Sequence, residues 1–271
     1  MNNKLHITLY QQDIAWADPE ANRARVATAM AAAPPCDLFV VPETFTTGFG
    51  SHMAALAEEP IGPTLRWAQQ MAAKHNVLFV GTWIVKENGR CFNRLHWVFP
   101  DGGVGSADNR QSENTTGTYG YYDKAHTFRP SGEHDVIARG TERMVFEYKG
   151  WRIKPAICYD LRFPKWLRND NMDYDLLLVC ANWPGSRHEA WATLLKARAI
   201  ENLCYVAGCN RMGLDGHDGA YSGHSTIIDY KGFAIAETAA CETISATLDK
   251  ARLDAFRQKW PLYLDFDQHL S

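Results

Sequence analysis

Three reactive side chains each follow a short apolar stretch that is typical of a β-strand: Glu43 after residues 38–42, Lys124 after residues 119–123, and Cys158 after residues 153–157. Ligand-binding and catalytic groups collect at strand ends in α/β folds, because the scaffold there is rigid and the ends are open. A carboxylate, an ammonium and a thiol brought together would supply a base, an oxyanion stabiliser and a nucleophile. The pattern is therefore a candidate acyl-transfer site.

Each of these three residues also has a simpler interpretation. A glutamate after a strand is usually solvated, and a cysteine at a strand end is usually a small core residue. Lys124 taken alone would be read as a surface charge. Residue types and spacing therefore leave two alternatives open: the three residues form the site of a cysteine hydrolase, or they have separate structural roles.

Motifs for nucleotide, calcium and zinc sites are absent or incomplete. Residues 102–105 (Gly-Gly-Val-Gly) lack the third glycine and the following helix of a dinucleotide-binding loop. Residues 215–219 (Asp-Gly-His-Asp-Gly) lack the alternation and closing glutamate of a calcium loop, so we interpret them as a polar turn. The seven cysteines are scattered without a C-x-x-C pair, which argues against structural zinc and a disulfide framework and favours a reducing, cytoplasm-like compartment.

The order of the predicted elements indicates one α/β domain. Helices are predicted over residues 18–33, 63–75 and 188–202, the first beginning with Asp18 as N-cap and Pro19 in the first turn. Strands interleave with these helices, and no linker divides the chain. About ten strands would make an unusually wide single sheet, so we expect two sheets. Strands are predicted over residues 6–10, 36–41, 77–85, 91–99, 119–123, 144–148, 151–157, 176–180, 205–207, 225–229 and 243–248, and a polar surface loop over 101–118.

The overall composition excludes two classes of partner. The 271 residues include 28 basic and 31 acidic side chains, for a formal net charge of −3, which would not attract nucleic acid or an anionic membrane. Apolar stretches are far shorter than the roughly 20 residues that span a bilayer, and no signal peptide is recognisable at the start. We therefore expect a cytoplasmic protein with no nucleic-acid or membrane partner.

Local sequence around the three reactive residues resembles the nitrilase superfamily of carbon–nitrogen hydrolases. Residues 42–49 (PETFTTGF) resemble its P-E-x-F-x-x-G-F segment, and residues 122–128 (YDKAHTF) resemble its lysine motif Y-D-K-x-H-L-F. Residues 158–164 (CYDLRFP) match the cysteine motif of the branch that holds the ω-amidases. The three motifs occur in the family's order, and the resemblance extends over residues 5–248.

The resemblance implies a four-layer α-β-β-α sandwich, with two mixed sheets flanked by helices, over residues 1–271 as a single domain. Its core would cover about residues 5–248, with a C-terminal extension at 249–271. It implies a homodimer or higher homo-oligomer, no metal and no organic cofactor. It also assigns six site residues: Glu43, Lys124 and Cys158 as the catalytic triad, Glu133 as a second glutamate beside the lysine, Tyr159 as a backbone oxyanion donor, and Trp183 as a pocket wall.

The substrate expected from this resemblance is a small ω-amide of a keto dicarboxylate, such as 2-oxoglutaramate. Its remote carboxylate and keto group call for a pocket with arginine or tyrosine side chains, and Arg162, Arg187 and Arg211 are candidates. For Arg162 we favour a structural ion pair with the nearby Asp160.

Departures from the family pattern leave the substrate less certain than the reaction. Thr127 replaces the usual leucine of the lysine motif, Lys165 stands where many relatives have glutamate, and the loop at 105–118 is longer than typical. None of these differences touches the three catalytic positions. An N-carbamoyl amino acid, an aliphatic amide or a nitrile is an alternative substrate, and a non-catalytic scaffold or thiol sensor is an alternative of another class.

Overall fold

Two mixed β-sheets lie face to face, and helices cover their outer surfaces. The computed structural model describes residues 3–100, 115–116, 119–240 and 242–265. In these ranges the strands are β1 (Lys4–Tyr10), β2 (Leu38–Val40), β3 (Leu78–Glu87), β4 (Arg90–Val98), β5 (Thr115–Thr116), β6 (Tyr119–Asp123), β7 (Phe146–Tyr148), β8 (Trp151–Ile157), β9 (Leu176–Ala181), β10 (Tyr205–Asn210), β11 (Met212–Leu214), β12 (Ala220–Ser222), β13 (Ser225–Ile228), β14 (Ala234–Thr238) and β15 (Thr243–Asp249). The α-helices are α1 (Pro19–Ala32), α2 (Pro63–His75), α3 (Glu133–Val136), α4 (Pro164–Leu167), α5 (His188–Asn202) and α6 (Lys250–Lys259).

Each large sheet combines a parallel centre with antiparallel edges. The first sheet has the order β15-β1-β2-β3-β4-β6-β5, in which β1, β2 and β3 are parallel. The second has the order β14-β13-β10-β9-β8-β7, in which β8, β9 and β10 are parallel. A small third sheet pairs β11 with β12.

Burial divides the protein into four layers. Apolar side chains from both sheets meet in a central core, where the Trp97 and Phe146 rings stack with centroids 4.3 Å apart. Helices α1 and α2 pack on the outer face of the first sheet, and α5 packs on the outer face of the second. Helix α6 places the fully buried Leu253 in the central core. The predicted α-β-β-α sandwich is therefore confirmed.

Local signals in the sequence account for the helix boundaries. The Asp18 carboxylate accepts a hydrogen bond of 2.9 Å from the Ala21 N–H, which caps α1 ahead of Pro19. Helix α2 begins at Pro63 and ends where Asn76 adopts a left-handed conformation. The three predicted helices are confirmed to within a residue at each end.

Some elements differ from the predictions. Residues 115–116, predicted as part of a loop, form β5 and pair with β6, while residues 101–114 and 117–118 of that loop lie outside the described residues. The predicted strand at 205–207 continues to Asn210 as β10. Six further elements were not predicted: β11, β12, β14, α3, α4 and α6. Each is short or largely exposed, so its pattern of apolar residues is weak.

Candidate active site

The two sheets bring the three predicted catalytic residues to one place. Glu43 lies three residues beyond β2 and Lys124 directly follows β6, so both are carried by the first sheet. Cys158 directly follows β8 of the second sheet and begins a 3₁₀-helix, Cys158–Arg162. Strands β2 and β8 each belong to the parallel part of their sheet, and the site therefore lies at the carboxyl ends of parallel strands.

Lys124 is fully buried between two carboxylates. Its Nζ donates to Glu43 Oε1 at 2.8 Å and to both oxygens of Glu133 at 2.9 Å. The Phe128 N–H donates to Glu133 Oε2 at 2.5 Å and holds that carboxylate in place. Glu133, predicted to contact the lysine, does so, although it begins a helix of only one turn.

Two carboxylates around one ammonium determine the charge state of the site. Burial opposes the charge of Lys124, but the negative charges of Glu133 and Glu43 outweigh that effect and raise its pKa. Burial raises the pKa of Glu43, and repulsion from Glu133 adds to the rise while Lys124 counteracts it. Glu43 is therefore a stronger base than an exposed glutamate, and Lys124 stays protonated.

Two asparagines complete the hydrogen bonding of Glu43. Asn93, in the middle of β4, donates its amide to Glu43 Oε1 at 2.8 Å and to Glu133 Oε1 at 3.3 Å. The Thr82 hydroxyl donates to the Asn93 side-chain oxygen at 3.1 Å and so fixes the orientation of the amide. The Asn182 N–H donates to Glu43 Oε2 at 2.8 Å.

These supporting residues were largely missed by the sequence analysis. Asn93 is a polar residue inside a buried strand, a signal that points to an internal hydrogen bond without naming its partner. Asn182 belongs to residues 181–184, which resemble a family segment, but its contact with Glu43 spans 139 positions.

Cys158 has a strained backbone and a partly exposed thiol. Its φ of 44° lies in the left-handed region, which is costly for a residue with a side chain and is common at catalytic turns. Burial and the Glu43 carboxylate raise the pKa of the thiol well above its ordinary value, and the opposing effect of Lys124 is smaller. The resting residue is therefore a thiol beside a strong base.

Tyr159 places a backbone donor next to the thiol. It is the second residue of the 3₁₀-helix, so its N–H has no carbonyl partner within that helix. Its ring packs edge-on against Phe128 and Phe163, with centroids 5.0 and 5.1 Å away. The predicted oxyanion donor is thus held near the sulfur by its own side chain.

A pocket of about 360 Å³ opens above Cys158. Aromatic side chains form much of its wall, and Arg162 and Arg187 contribute positive charge. The predicted wall residue Trp183 is among them, with the Arg162 guanidinium 5.1 Å from the centre of its ring. The indole N–H of Trp183 donates to the Arg187 carbonyl at 2.9 Å, which fixes the ring.

The expected ion pair between Arg162 and Asp160 is wrong. Asp160 is buried and accepts hydrogen bonds from the Tyr122 hydroxyl and from His126, both at 2.8 Å, so it has no oxygen turned to the pocket. Arg162 forms no ion pair with any residue that the structure describes and lines the pocket instead. Its side chain is consequently available to a ligand.

Arg211 is not a ligand candidate. It is fully buried, and its guanidinium donates to the carbonyls of Met212 at 3.0 Å and Leu214 at 2.7 Å. Its role is to fix the chain around β11.

Residues 215–219 form the predicted polar turn, in which the Asp215 carboxylate accepts hydrogen bonds from two backbone N–H groups. Asp215 also borders the pocket.

The described residues contain neither a candidate metal site nor a candidate membrane-spanning helix. No set of three histidine, cysteine or acidic side chains there is arranged to hold a metal ion. In the same part of the chain, no helix has both the length and the apolar character needed to cross a bilayer.

Known proteins are similar to this chain in sequence and in fold. The family model "Carbon-nitrogen hydrolase" matches residues 6–258. The chain is 40% identical to the omega-amidase YafV of Yersinia enterocolitica over 98% of each chain, and 32% identical to the 2-oxoglutaramate amidase of Bacillus subtilis over 98% of this chain and 99% of that one. It is also similar to the crystal structure of XC1258 from Xanthomonas campestris, a CN-hydrolase superfamily protein with an arsenic adduct in its active site, with a TM-score of 0.90, 40% identity and 99% of each chain covered.

The family match covers most of the chain, and the fold is the predicted one. The motifs that carry the resemblance lie at the pocket, where Glu43, Lys124 and Cys158 converge. The chain therefore belongs to the carbon–nitrogen hydrolases of the nitrilase superfamily.

Proposed function

We propose that this hydrolase removes the terminal amide of a short keto dicarboxylate, such as 2-oxoglutaramate, to give the dicarboxylate and ammonia. The observation that carries the proposal is the pocket and its surroundings: Cys158, Arg162 and Arg187 line it, and the buried, ion-paired Glu43 and Lys124 act on the Cys158 thiol from outside the lining. The names of the relatives from Yersinia enterocolitica and Bacillus subtilis support the same substrate class.

The geometry supports a thioester mechanism, R–CO–NH₂ + H₂O → R–COO⁻ + NH₄⁺. Glu43 takes the proton of the Cys158 thiol as the sulfur attacks the amide carbon. The oxyanion that forms is stabilised by the Lys124 ammonium and the Tyr159 N–H, and a donor of this kind lowers a barrier by about 3 kcal/mol. Glu43 passes its proton to the departing ammonia, and then activates the water that hydrolyses the thioester.

Glu133 and Asn93 keep the reacting groups in their charge states. Glu133 binds the Lys124 Nζ through both oxygens, so the ammonium stays aligned when Glu43 becomes protonated. Asn93 donates a hydrogen bond to each of the two carboxylates. Of these two, Glu43 lies next to the thiol and acts as the base, while Glu133 holds the ammonium. We assign Glu133 and Asn93 as positioning residues.

The rim of the pocket supports recognition of the distant carboxylate. Arg162 and Arg187 both line the pocket, and each guanidinium lies about 5.1 Å from an aromatic ring, Trp183 and Phe128 respectively. Stacked guanidinium groups are pre-oriented and can bind a carboxylate in a bidentate manner. The aromatic wall would pack against the short carbon chain between carboxylate and amide.

Ammonia release tests the proposal most directly. We expect kcat/KM for 2-oxoglutaramate to exceed that for glutamine by at least tenfold. The two compounds share the amide, but the 2-position is a neutral keto group in 2-oxoglutaramate and a charged ammonium group in glutamine. Simple aliphatic amides, N-carbamoyl amino acids and nitriles complete the panel. A preference for any of these over 2-oxoglutaramate would keep the thioester chemistry and reject the substrate.

The Cys158→Ala variant is the control for that assay. It removes one sulfur without adding bulk, so the fold should persist while turnover falls to background. Stoichiometric iodoacetamide should modify Cys158 first, because Cys158 lines the pocket and Glu43 is in hydrogen-bonding reach to accept its proton. Cys180, Cys204 and Cys209 are fully buried. Several equally reactive thiols, together with no ammonia release by the wild-type protein from any amide of the panel, would favour a thiol sensor, and ammonia release by Cys158→Ala would reject Cys158 as the nucleophile.

We also propose that the enzyme is a homodimer or higher homo-oligomer and that it acts in the cytoplasm. The first proposal rests on the family resemblance, and the second on the scattered cysteines and the substrate class. Light scattering after size-exclusion chromatography would test the oligomeric state, and fractionation of the source cells would test the compartment.

A further inference from the structure

A second cavity shares Tyr159 with the active-site pocket as a lining residue. Its volume is about 780 Å³, roughly twice that of the active-site pocket. Three arginines and two histidines line it, and no carboxylate of the described residues does: Arg90, Arg129, Arg139, His126 and His134. We call it the arginine cavity.

The guanidinium groups of the arginine cavity are not held in ion pairs by the described residues. Within the described ranges, none of the three guanidinium groups has a carboxylate within 4.0 Å. Asp160 binds His126 and Tyr122, and Asp135 is exposed and lies 3.4 Å from His134. Glu87, Asp123 and Glu142 line a neighbouring pocket that Arg90 and Arg139 also border, and Glu87 and Asp123 are paired with Arg94. Three formal positive charges therefore face one space, at an electrostatic cost that a bound anion would remove.

Several donors in the cavity are fixed before any ligand arrives. The Arg139 Nε donates to the Ala125 carbonyl at 2.6 Å, which orients the guanidinium and leaves its two terminal nitrogens for a ligand. The His126 ring stacks on Phe163 with centroids 3.7 Å apart, and its Nδ1 lies 2.8 Å from Asp160. No described residue pairs with its Nε2. Such fixed donors lower the ordering cost of binding.

The walls of the cavity belong to the segments that carry the catalytic residues. His126 follows Lys124 by two positions, and His134 directly follows Glu133. Tyr159 lines both the arginine cavity and the active-site pocket. A group bound in the arginine cavity would therefore lie behind the catalytic layer, outside the space that the amide substrate occupies.

We propose that the arginine cavity is a second binding site, for a small oxyanion that carries two or more negative charges. Guanidinium groups match the geometry of phosphate and carboxylate oxygens, and three of them exceed what a single monovalent anion would balance. This site is independent of the identity of the amide substrate, because no residue that forms the floor of the active-site pocket takes part in it, apart from the shared wall of Tyr159.

Isothermal titration with pyrophosphate and with citrate, at constant ionic strength in chloride, tests the site. We expect at least one of them to bind with a stoichiometry of one and a dissociation constant below about 1 mM. Binding of pyrophosphate alone would identify a phosphate ligand, and binding of citrate alone a polycarboxylate. If neither binds better than chloride, the proposal is wrong.

Matched variants locate the bound anion. Arg129→Gln changes an exposed side chain that forms no ion pair in the described part of the chain, and Arg139→Gln removes the oriented guanidinium; each should weaken binding at least tenfold. Arg66→Gln, on α2 and outside both cavities, and Arg162→Gln, in the active-site pocket, should change it less than threefold. Thermal melting would verify the fold, and if Arg139→Gln does not fold, Arg129→Gln decides.

Two results would overturn the proposal after binding has been observed. Loss of binding in Arg162→Gln with none in Arg129→Gln would place the anion in the active-site pocket. If Arg66→Gln weakens anion binding as much as Arg129→Gln does, the anion is attracted by the overall charge of the protein and not by the arginine cavity.

Discussion

Two buried charge clusters in this fold have opposite compositions. The acidic cluster consists of Glu43, Glu133 and Lys124, with two carboxylates around one ammonium. The basic cluster consists of Asp175, Arg152, Lys250 and Arg257, with one carboxylate among three cations. Lys124 at the centre of the first cluster and Asp175 at the centre of the second are both fully buried. The two clusters therefore differ in the sign of their excess charge.

The excess charge moves the carboxylate pKa values in opposite directions. In the acidic cluster, burial and the second carboxylate raise the pKa of Glu43 above its ordinary 4.5. In the basic cluster, burial opposes ionisation, but hydrogen bonds from Arg152 and Lys250 outweigh it and lower the pKa of Asp175 to about 2. The first arrangement makes a proton acceptor, and the second makes a permanently charged link between β9 and α6.

The comparison therefore separates a reactive cluster from a structural one. Changes in the acidic cluster should affect turnover with little effect on stability, and changes in the basic cluster should do the reverse.

Glu43→Gln should have the largest effect. Glutamine keeps the size and much of the hydrogen bonding but cannot accept the thiol proton, so kcat should fall at least about 1,000-fold. Substrate affinity should persist, because the proposed carboxylate site lies at the rim of the pocket. Single-turnover kinetics would show slow acylation and slow deacylation. Near-normal turnover would place the base elsewhere, and Glu133 would be tested next.

Lys124→Arg should lower the rate at least about 100-fold. Arginine keeps the charge, but its planar fork does not fit a space in which a compact ammonium contacts both carboxylates within 2.9 Å. The matched control is Lys250→Arg in the basic cluster, whose side chain is 22% exposed and has room to adjust. Nearly unchanged turnover by Lys124→Arg would mean that Lys124 only balances the charge of the two carboxylates and does not position the oxyanion.

Asn93→Ala should reduce kcat about tenfold and shift the acid limb of the pH–rate profile to higher pH. The variant removes a donor that stabilises ionised Glu43, so the pKa of Glu43 should rise further. Asn93→Asp should shift the limb more, because it adds a third carboxylate. A loss of rate without any shift would mean that Asn93 acts through packing alone.

Asp175→Asn should leave kcat within about twofold and lower the free energy of unfolding by about 2–3 kcal/mol, because it leaves buried Arg257 without its counter-ion. Urea unfolding with ammonia assays at 25 °C would measure both quantities. Asp170→Asn is the control, since its ion pairs of 3.7 and 3.8 Å are exposed and should contribute less than about 1 kcal/mol. Equal effects of the two substitutions would contradict a special role for Asp175.

The sequence predicts the two clusters unequally. Glu43, Lys124 and Cys158 stand in local motifs, so their roles can be inferred without knowing the strand order. Asn93 acquires its role only because β4 lies between β3 and β6, which places its amide between two carboxylates. The Asp175 cluster joins residues up to 82 positions apart, and nothing near Asp175 in the sequence signals that contact.

The α/β class and the two sheets follow from the interleaved helices and strands, and the sandwich follows from the family resemblance, whereas the partner of each charged side chain depends on tertiary contacts. The incorrect ion pair predicted for Arg162 shows this, because Asp160 is bound by Tyr122 of β6 and by His126, which follows that strand. Proximity in sequence was a poor guide to the partner of a buried carboxylate.

Acidification should separate the two clusters in a single experiment. The raised pKa of Glu43 means that the base is protonated, and kcat/KM falls, at a pH above the ordinary glutamate value of 4.5. Asp175 behaves oppositely: its folded-state pKa of about 2 lies below its ordinary 3.8, so the stability it contributes is complete above pH 4 and is lost as the pH falls towards 2. That contribution is about 2 kcal/mol.

Between these two transitions the enzyme should be folded, inactive and fully recoverable on return to neutral pH. Parallel measurements of kcat/KM and of urea unfolding against pH would show activity declining first and stability declining later. Asp175→Asn should flatten the part of the stability profile that lies between pH 4 and 2 while the activity profile keeps its acid limb. If activity and stability instead decline together in the wild-type enzyme, loss of activity is a consequence of unfolding, and the acidic cluster does not set the acid limit of the reaction.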